Sequence, residues 1–178
     1  VGMLFFAGAG LSQPVWDKLD RMAELACDER VRMLTGLGMT ETAPACMFAV
    51  GTNTKSGHIG LPVPGVEAKL VWVPEAGKTE IRFRGPNLMP GYWREPGLTA
   101  QAFDEEGYYR TGDAVRWRDP ADPQRGLVFD GRIAEDFKLA TGTFVSVGPL
   151  RGKIIAAGAP YIQDVVLTGL NMKEVGAM

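Results

Sequence analysis

Val66-Glu67-Ala68-Lys69-Leu70-Val71-Trp72-Val73 sets Val66, Ala68 and Leu70 against Glu67 and Lys69 in alternation. In an extended chain successive side chains point to opposite faces, so this stretch predicts a half-buried β-strand. Glu80-Ile81-Arg82-Phe83-Arg84 repeats the pattern on a smaller scale, and Leu127–Asp130 is another strand-sized piece. Gly60, Pro62, Pro64 and Gly65 punctuate the approach to the first of these as a turn. From about residue 61 to 131 the chain therefore predicts mostly β structure with tight turns.

On the N-terminal side the texture differs. Val1 to Ala7 is a short apolar run bounded by glycines, the pattern of a buried strand. Ser12 follows as an N-cap candidate with Pro14 in the first turn, and Val15, Trp16, Leu19, Met22, Ala23, Leu25 and Ala26 recur at helical spacing as far as Cys27. Val31–Thr35 is a second strand candidate, so strand, helix and strand suggest an α/β layer. Beyond Gly131 a third texture begins, with short strands and a helix candidate around Gly148–Ala157. The fold class this predicts is mixed α/β and β.

Composition narrows the function classes. The 178 residues carry a net charge of −2, so no bulk field draws the chain to nucleic acid or to an anionic membrane. Hydrophobic residues at 46% and charged residues at 22% exclude a wholly disordered, collagen-like or coiled-coil chain. The 23 glycines and 12 prolines predict many turns and short elements. No run approaches the roughly 18 apolar residues of a spanning helix, and no signal peptide is visible in the 178 residues. The two cysteines, Cys27 and Cys46, have no spaced partners for a metal site and read as reduced thiols of a cytosolic protein. Val1-Gly2-Met3 and Val175-Gly176-Ala177-Met178 both read as cuts, as if the chain were a window out of a longer protein.

Three stretches carry chemistry. In Thr35-Gly36-Leu37-Gly38-Met39-Thr40-Glu41-Thr42 a strand feeds a glycine-rich turn presenting two hydroxyls and a carboxylate. Glycine permits close backbone approach to a ligand, hydroxyls donate to phosphate oxygens, and a carboxylate is a hard ligand suited to Mg²⁺. Alone, the stretch reads equally as a turn in which Thr40 or Thr42 caps the next element. Tyr108-Tyr109-Arg110-Thr111-Gly112-Asp113 places a lone carboxylate just past a glycine at a strand start. Such a group can accept both hydroxyls of a ribose, or simply close a turn. Phe129-Asp130-Gly131-Arg132, with Glu135, Asp136, Phe137 and Lys138 after it, lies where the texture changes. It is either a solvated linker or an interdomain hinge with an arginine and a lysine suited to ribose or phosphate contacts.

In this order and spacing the three resemble the adenylate-forming superfamily of acyl-CoA synthetases, adenylation domains and luciferases. Gly36 to Thr42 is similar to that family's G-Y-G-M-T-E, and Gly85-Pro86-Asn87-Leu88-Met89-Pro90-Gly91-Tyr92 to its R-G-P-x-x-M-x-G-Y. Tyr109-Arg110-Thr111-Gly112-Asp113 matches its Y-R-T-G-D, Gly131-Arg132 opens its hinge motif, and Gly57 to Gly65 fits its G-x-x-G-x-P-x-P-G turn. Within the family, Gly142-Thr143 through Arg151 and Ala159 through Asp164 look most like bacterial feruloyl-CoA synthetases.

The resemblance implies the end of an α/β subdomain at 1–60 and a β-rich subdomain at 61–131, both in the large AMP-binding domain, with the hinge and start of a small C-terminal α+β domain at 132–178. It implies that Thr40 touches the α-phosphate, that Glu41 helps hold Mg²⁺, and that Asp113 binds the ribose hydroxyls with Arg132 in support. Gly8 and Ala9 would line the adenine and acyl pocket, Gly36, Gly38 and Met39 would contact the nucleotide, and Lys138 would assist adenylation. The co-substrates would be ATP, Mg²⁺ and CoA, with ferulate or a related hydroxycinnamate as the acid. The alternatives are another acyl- or aryl-CoA ligase of the same superfamily and, from another class, a non-catalytic nucleotide-binding module.

The sequence also departs from the family. Leu37 stands where an aromatic residue usually stacks on adenine, and the hinge position falls on Ala134 or Glu135. The Ser/Thr/Gly-rich phosphate loop and the C-terminal catalytic lysine are not in the 178 residues, so the chain alone is expected to be inactive. His58 reads as a surface or packing residue in a turn between glycines. Trp16, Trp72, Trp93 and Trp117 read as core or turn packing, since no basic stripe accompanies them.

Overall fold

A computed structural model describes residues 2–8 and 10–178; Ala9, a sequence candidate for the pocket, lies outside the described residues. The chain runs β1 (Met3–Phe6), α1 (Gln13–Cys27), β2 (Arg32–Leu37), β3 (Met47–Ala49), β4 (His58–Pro62), β5 (Glu67–Val73) and β6 (Lys78–Arg84). It continues through α2 (Pro96–Ala102), β7 (Tyr109–Trp117), β8 (Leu127–Arg132), β9 (Phe137–Lys138), β10 (Phe144–Val145), α3 (Val147–Gly158), β11 (Leu167–Thr168) and β12 (Gly176–Ala177). Single 3₁₀ turns occupy Thr40–Thr42, Pro123–Arg125 and Ile133–Glu135.

Eight strands form one sheet in the order β1-β2-β3-β4-β8-β7-β6-β5. Only β1 and β2 pair in parallel, across the α1 crossover; the other pairs are antiparallel. The expected mixed α/β and β class is what the structure has. Pairs β9–β10 and β11–β12 form separate two-stranded ribbons, one before and one after α3 in the chain.

The alternation read in β5 and β6 builds the core. Ile81 and Phe83 are fully buried and pack with Cys46, Met47, Ile59, Val115 and Leu127, while Val66, Ala68 and Leu70 cover them. Each large side chain so removed from water contributes roughly 1.5–3 kcal/mol. The same sheet carries buried charge. Lys78 Nζ lies 2.6 Å from Asp136 Oδ2 and donates to Asp130 O at 2.5 Å, tying β6 to the chain on both sides of the Ile133–Glu135 turn.

Several local expectations change. The Val1–Ala7 run reads as a buried strand, but β1 lies at the sheet edge with Met3 and Phe5 more than half exposed. An apolar run of this length does not distinguish an edge from a centre. Along α1 the helical stripe forms as read, yet only Trp16 is buried and Val15, Leu19, Met22 and Leu25 face outward. Asp28 closes that helix in the left-handed region (φ 56°), its N–H donating to Glu24 O. Of the four tryptophans only Trp16 is a core residue; Trp72, Trp93 and Trp117 are exposed, Trp93 to 85%. His58 does not sit in a turn but opens β4, pairing with Val128 of β8. Elements α2 and β3 carry no sequence expectation at all, because one starts at a proline and the other spans three residues. Among the described residues no helix is long and apolar enough to cross a membrane.

Candidate active site

The glycine-rich turn leaves the end of β2 and folds straight back against the chain leading into β3. A Cβ at Gly36 would stand 2.2 Å from Met47 O, and one at Gly38 only 1.4 Å from Pro44 O. Neither position has room for a side chain, so glycine is a steric requirement of this loop. The two hydroxyls divide. Thr42 is fully buried; its Oγ1 donates to Met39 O and accepts from Met39 N, both at 3.0 Å. Thr42 is thus the residue that holds the turn, whereas Thr40 is exposed.

The segment after β6 fixes the next residue. Asn87 Nδ2 donates to Thr42 O at 2.8 Å and Ala45 O at 2.9 Å, and Met89 N donates to Glu41 O at 2.9 Å. Tyr92 Oη donates to Glu41 Oε1 at 3.0 Å and stands 3.5 Å from the Tyr109 hydroxyl. Burial, the Tyr92 hydroxyl and the Glu41 carboxylate together push the Tyr109 phenol up from its ordinary range. The Gly85–Tyr92 segment therefore acts here as a brace for the glycine-rich turn.

The sequence sets Asp113 at a strand start. It lies instead in the middle of β7, and the positive φ of Gly112 (69°) belongs to a register slip against β6, not to a turn. Across the sheet it pairs with Arg132 of β8. The Asp113 side chain is 4% exposed, and Arg132 Nε stands 3.2 Å from Oδ1, outside hydrogen-bond geometry. Among the described residues Oδ1 has no hydrogen-bond partner. Burial pushes the Asp113 carboxyl up from the usual carboxylate range; Arg132 opposes this, and Glu135 and Glu80 add to it. A buried acceptor without a partner is costly, and such groups are rare unless something else completes them.

Asp113 and Arg132 line a cavity of about 720 Å³ with Gly8, Gly36, Leu37, Gly38 and Met39. That volume suits a small-molecule ligand. The structure thus brings six of the sequence candidates, Gly8, Gly36, Gly38, Met39, Asp113 and Arg132, to one place. Thr40 and Glu41 continue from Met39 just outside the lining, and Lys138 is not part of it. Its ammonium instead lies 4.3 Å over the Phe144 ring of the β9–β10 ribbon.

Sequence reasoning did not place His58 here, yet it lines the cavity with Phe129 and Trp16. Its Nδ1 accepts the Lys55 N–H at 3.1 Å, so the neutral ring carries its proton on Nε2. Burial, then Arg118, Lys55, Arg116 and Arg125, hold its pKa down at about 4. A lone histidine between glycines carries no pattern from which this position could be read.

The family model described as AMP-binding enzyme matches residues 1–93. Human long-chain-fatty-acid–CoA ligase 6 is 36% identical over 130 residues, which is 70% of this chain and 18% of that protein. The adenylation domain of the carboxylate reductase from Mycobacterium chelonae is 30% identical with a TM-score of 0.71, over 97% of this chain and 25% of that one. The A domain of the carboxylic acid reductase from Segniliparus rugosus, solved with AMP and a co-purified carboxylic acid, is 26% identical with a TM-score of 0.71, over 98% and 26%. The chain spans about a fifth of the length of the curated relative and a quarter of the solved domains. With the family match covering just over half of its residues, the chain belongs to the AMP-binding enzyme family.

Proposed function

We propose that this chain carries the nucleotide-binding part of an ATP-dependent carboxylic acid–CoA ligase. The observation that carries the reading is Asp113, a buried carboxylate whose Oδ1 is met only by the Arg132 guanidinium, outside hydrogen-bond geometry, on a cavity walled by the glycine turn. The division at 1–60, 61–131 and 132–178, with a hinge at Ala134 or Glu135 in the Ile133–Glu135 turn, is part of the proposal, as is a cytosolic location.

In this reading the acid's carboxylate attacks the α-phosphorus of ATP, forming an acyl-adenylate and releasing pyrophosphate. CoA thiolate then attacks the acyl carbon and displaces AMP. The protein's share is positioning and charge stabilisation. Asp113 accepts from the ribose hydroxyls, and Arg132 supports the ribose or phosphate. Gly36 and Gly38 let the backbone approach the nucleotide, with Gly8 and Met39 on the walls. Thr40, exposed at the turn, donates to an α-phosphate oxygen. Glu41 offers one carboxylate, oriented by Tyr92, which suits Mg²⁺ held by one or two carboxylates together with substrate phosphates. When bound, Mg²⁺ neutralises phosphate charge as it develops. Lys138 is the assisting lysine of the family only if the β9–β10 ribbon moves toward the cavity.

For the acid, the stretches 142–151 and 159–164 support ferulate or a related hydroxycinnamate. A second reading, a long-chain fatty acid, is favoured by the similarity to the human ligase. ATP–pyrophosphate exchange by the full-length protein with ferulate and with palmitate decides between them. Exchange with neither acid, alongside tight AMP binding, would leave a non-catalytic nucleotide module and refute the ligase.

A further inference from the structure

Glu80 is a buried carboxylate for which the ligase reaction has no use. It is 6% exposed, although its place in an alternating strand would turn it outward. Its Oε1 accepts the Gly112 N–H at 3.1 Å, and its Oε2 accepts from Arg82 Nε at 2.7 Å. Arg82 Nη1 donates on to Asp104 Oδ2 at 3.1 Å, and Asp104 Oδ1 accepts the Tyr108 N–H at 2.9 Å. A continuous run of charge-assisted hydrogen bonds therefore spans from the residue before β7 to the residue before Asp113.

That run brackets the place where β7 slips. Arg82 pairs with Arg110 and Glu80 with Ala114, so Thr111, Gly112 and Asp113 stand opposite Ile81 alone. Thr111 Oγ1 donates to Ile81 O at 2.6 Å and accepts the Asp113 N–H at 3.0 Å, closing the bulge from inside. A bulge re-aims the side chain that it carries, and its direction is only as firm as the bonds that hold it.

We propose that Glu80 is a positioning residue for nucleotide recognition: by holding the Gly112 N–H it sets the bulge that presents Asp113 to the cavity. The inference rests on the reading of Asp113 as the ribose acceptor. Charge-assisted bonds are about twice as strong as neutral ones, and a shift of roughly 1 Å in a binding group can cost on the order of a hundredfold.

The test compares dissociation constants for ATP and 2′,3′-dideoxy-ATP, which lacks both ribose hydroxyls, in the full-length protein. Wild type should prefer ATP by on the order of a hundredfold, and Asp113→Ala should erase that preference. Glu80→Met keeps the volume but loses the acceptor. It should cut the preference by about tenfold while dideoxy-ATP binding stays within about threefold. Glu80→Gln keeps an acceptor for Gly112 and should retain the preference. Equal weakening of both nucleotides in Glu80→Met, an undiminished preference there, or a Glu80→Gln that behaves like Glu80→Met overturns the proposal while Asp113 keeps its role. A preference that survives Asp113→Ala overturns the ribose reading and this one together. If Glu80→Met does not fold, Thr111→Val removes the other tie of the bulge. Loss confined to ATP supports the proposal, and an equal loss or none overturns it.

Discussion

Replacing Asp113 by alanine separates a ligand-binding carboxylate from a structural one. In the structure the side chain closes no turn and caps no helix. Its charged neighbour Arg132 is 56% exposed, so the pair is worth little to the fold. Burial works against the carboxylate: with a folded pKa above the unfolded one, ionising it disfavours the native state, and stability falls as pH rises through that interval. Asp113→Ala or Asp113→Asn should therefore leave the melting temperature at pH 7 unchanged or raised. Affinity should move the other way. A hydrogen bond to a charged group contributes roughly 1.5–3 kcal/mol, and two coupled ones about 2–4 kcal/mol, or about 30- to 1000-fold in ATP affinity. Calorimetric titration of the full-length protein with ATP, beside a melting curve of the same variant, reads both quantities. ATP binding by wild type should also weaken as acid protonates Asp113, and the variant should lose that dependence. Unchanged ATP affinity with a lowered melting point would refute the reasoning, because it would make Asp113 a structural residue.

The other predictions are independent of Asp113. His58 has a folded pKa of about 4 against an ordinary 6.5, so its protonation disfavours the native state. Stability is then lost as pH falls from about 6.5 toward 4. His58→Gln should reduce the drop in unfolding free energy between pH 7 and pH 5, read from urea denaturation, by on the order of 1–2 kcal/mol, allowing for partial exposure; an identical drop in the variant contradicts the assignment. Gly38→Ala forces a methyl group toward Pro44 O and should cost about 3 kcal/mol or more, read in the denaturation midpoint, with nucleotide affinity lost in parallel. Ala134→Pro in the full-length protein restricts φ within the Ile133–Glu135 turn. One half-reaction should suffer far more than the other, and equal loss in both with the fold intact would put the hinge elsewhere.

Much of the fold could be read because β5 and β6 alternate cleanly and α1 carries a helical stripe from an N-cap position to Cys27. Gly36, Gly38, Asp113 and Arg132 could be singled out as candidates for a different reason: they stand in short motifs whose spacing is read directly from the sequence, and the structure gathers them on one cavity. Glu80 was not legible, because a carboxylate in an alternating strand looks like a solvated face until a bulge in the partner strand turns a backbone N–H toward it. His58 escaped sequence reasoning since its burial comes from β8, some 70 residues away in the chain. Lys138 shows the opposite case. Its distance from Arg132 in sequence suggested the site, but the two-residue strand β9 places it over Phe144.

The division of labour between Thr40 and Thr42 bears on how this loop can be altered. Thr42 is enclosed and bonded to Met39 in both directions, whereas Thr40 is open to solvent two residues earlier. Shape and contact chemistry are thus assigned to separate side chains on one short turn. A library randomised at position 40 would vary the exposed side chain, the proposed phosphate donor, without disturbing the backbone. The same library at position 42 would return mostly unfolded loops. Diversity in this part of the site is therefore accessible one residue at a time, and the register of the glycines decides which residue.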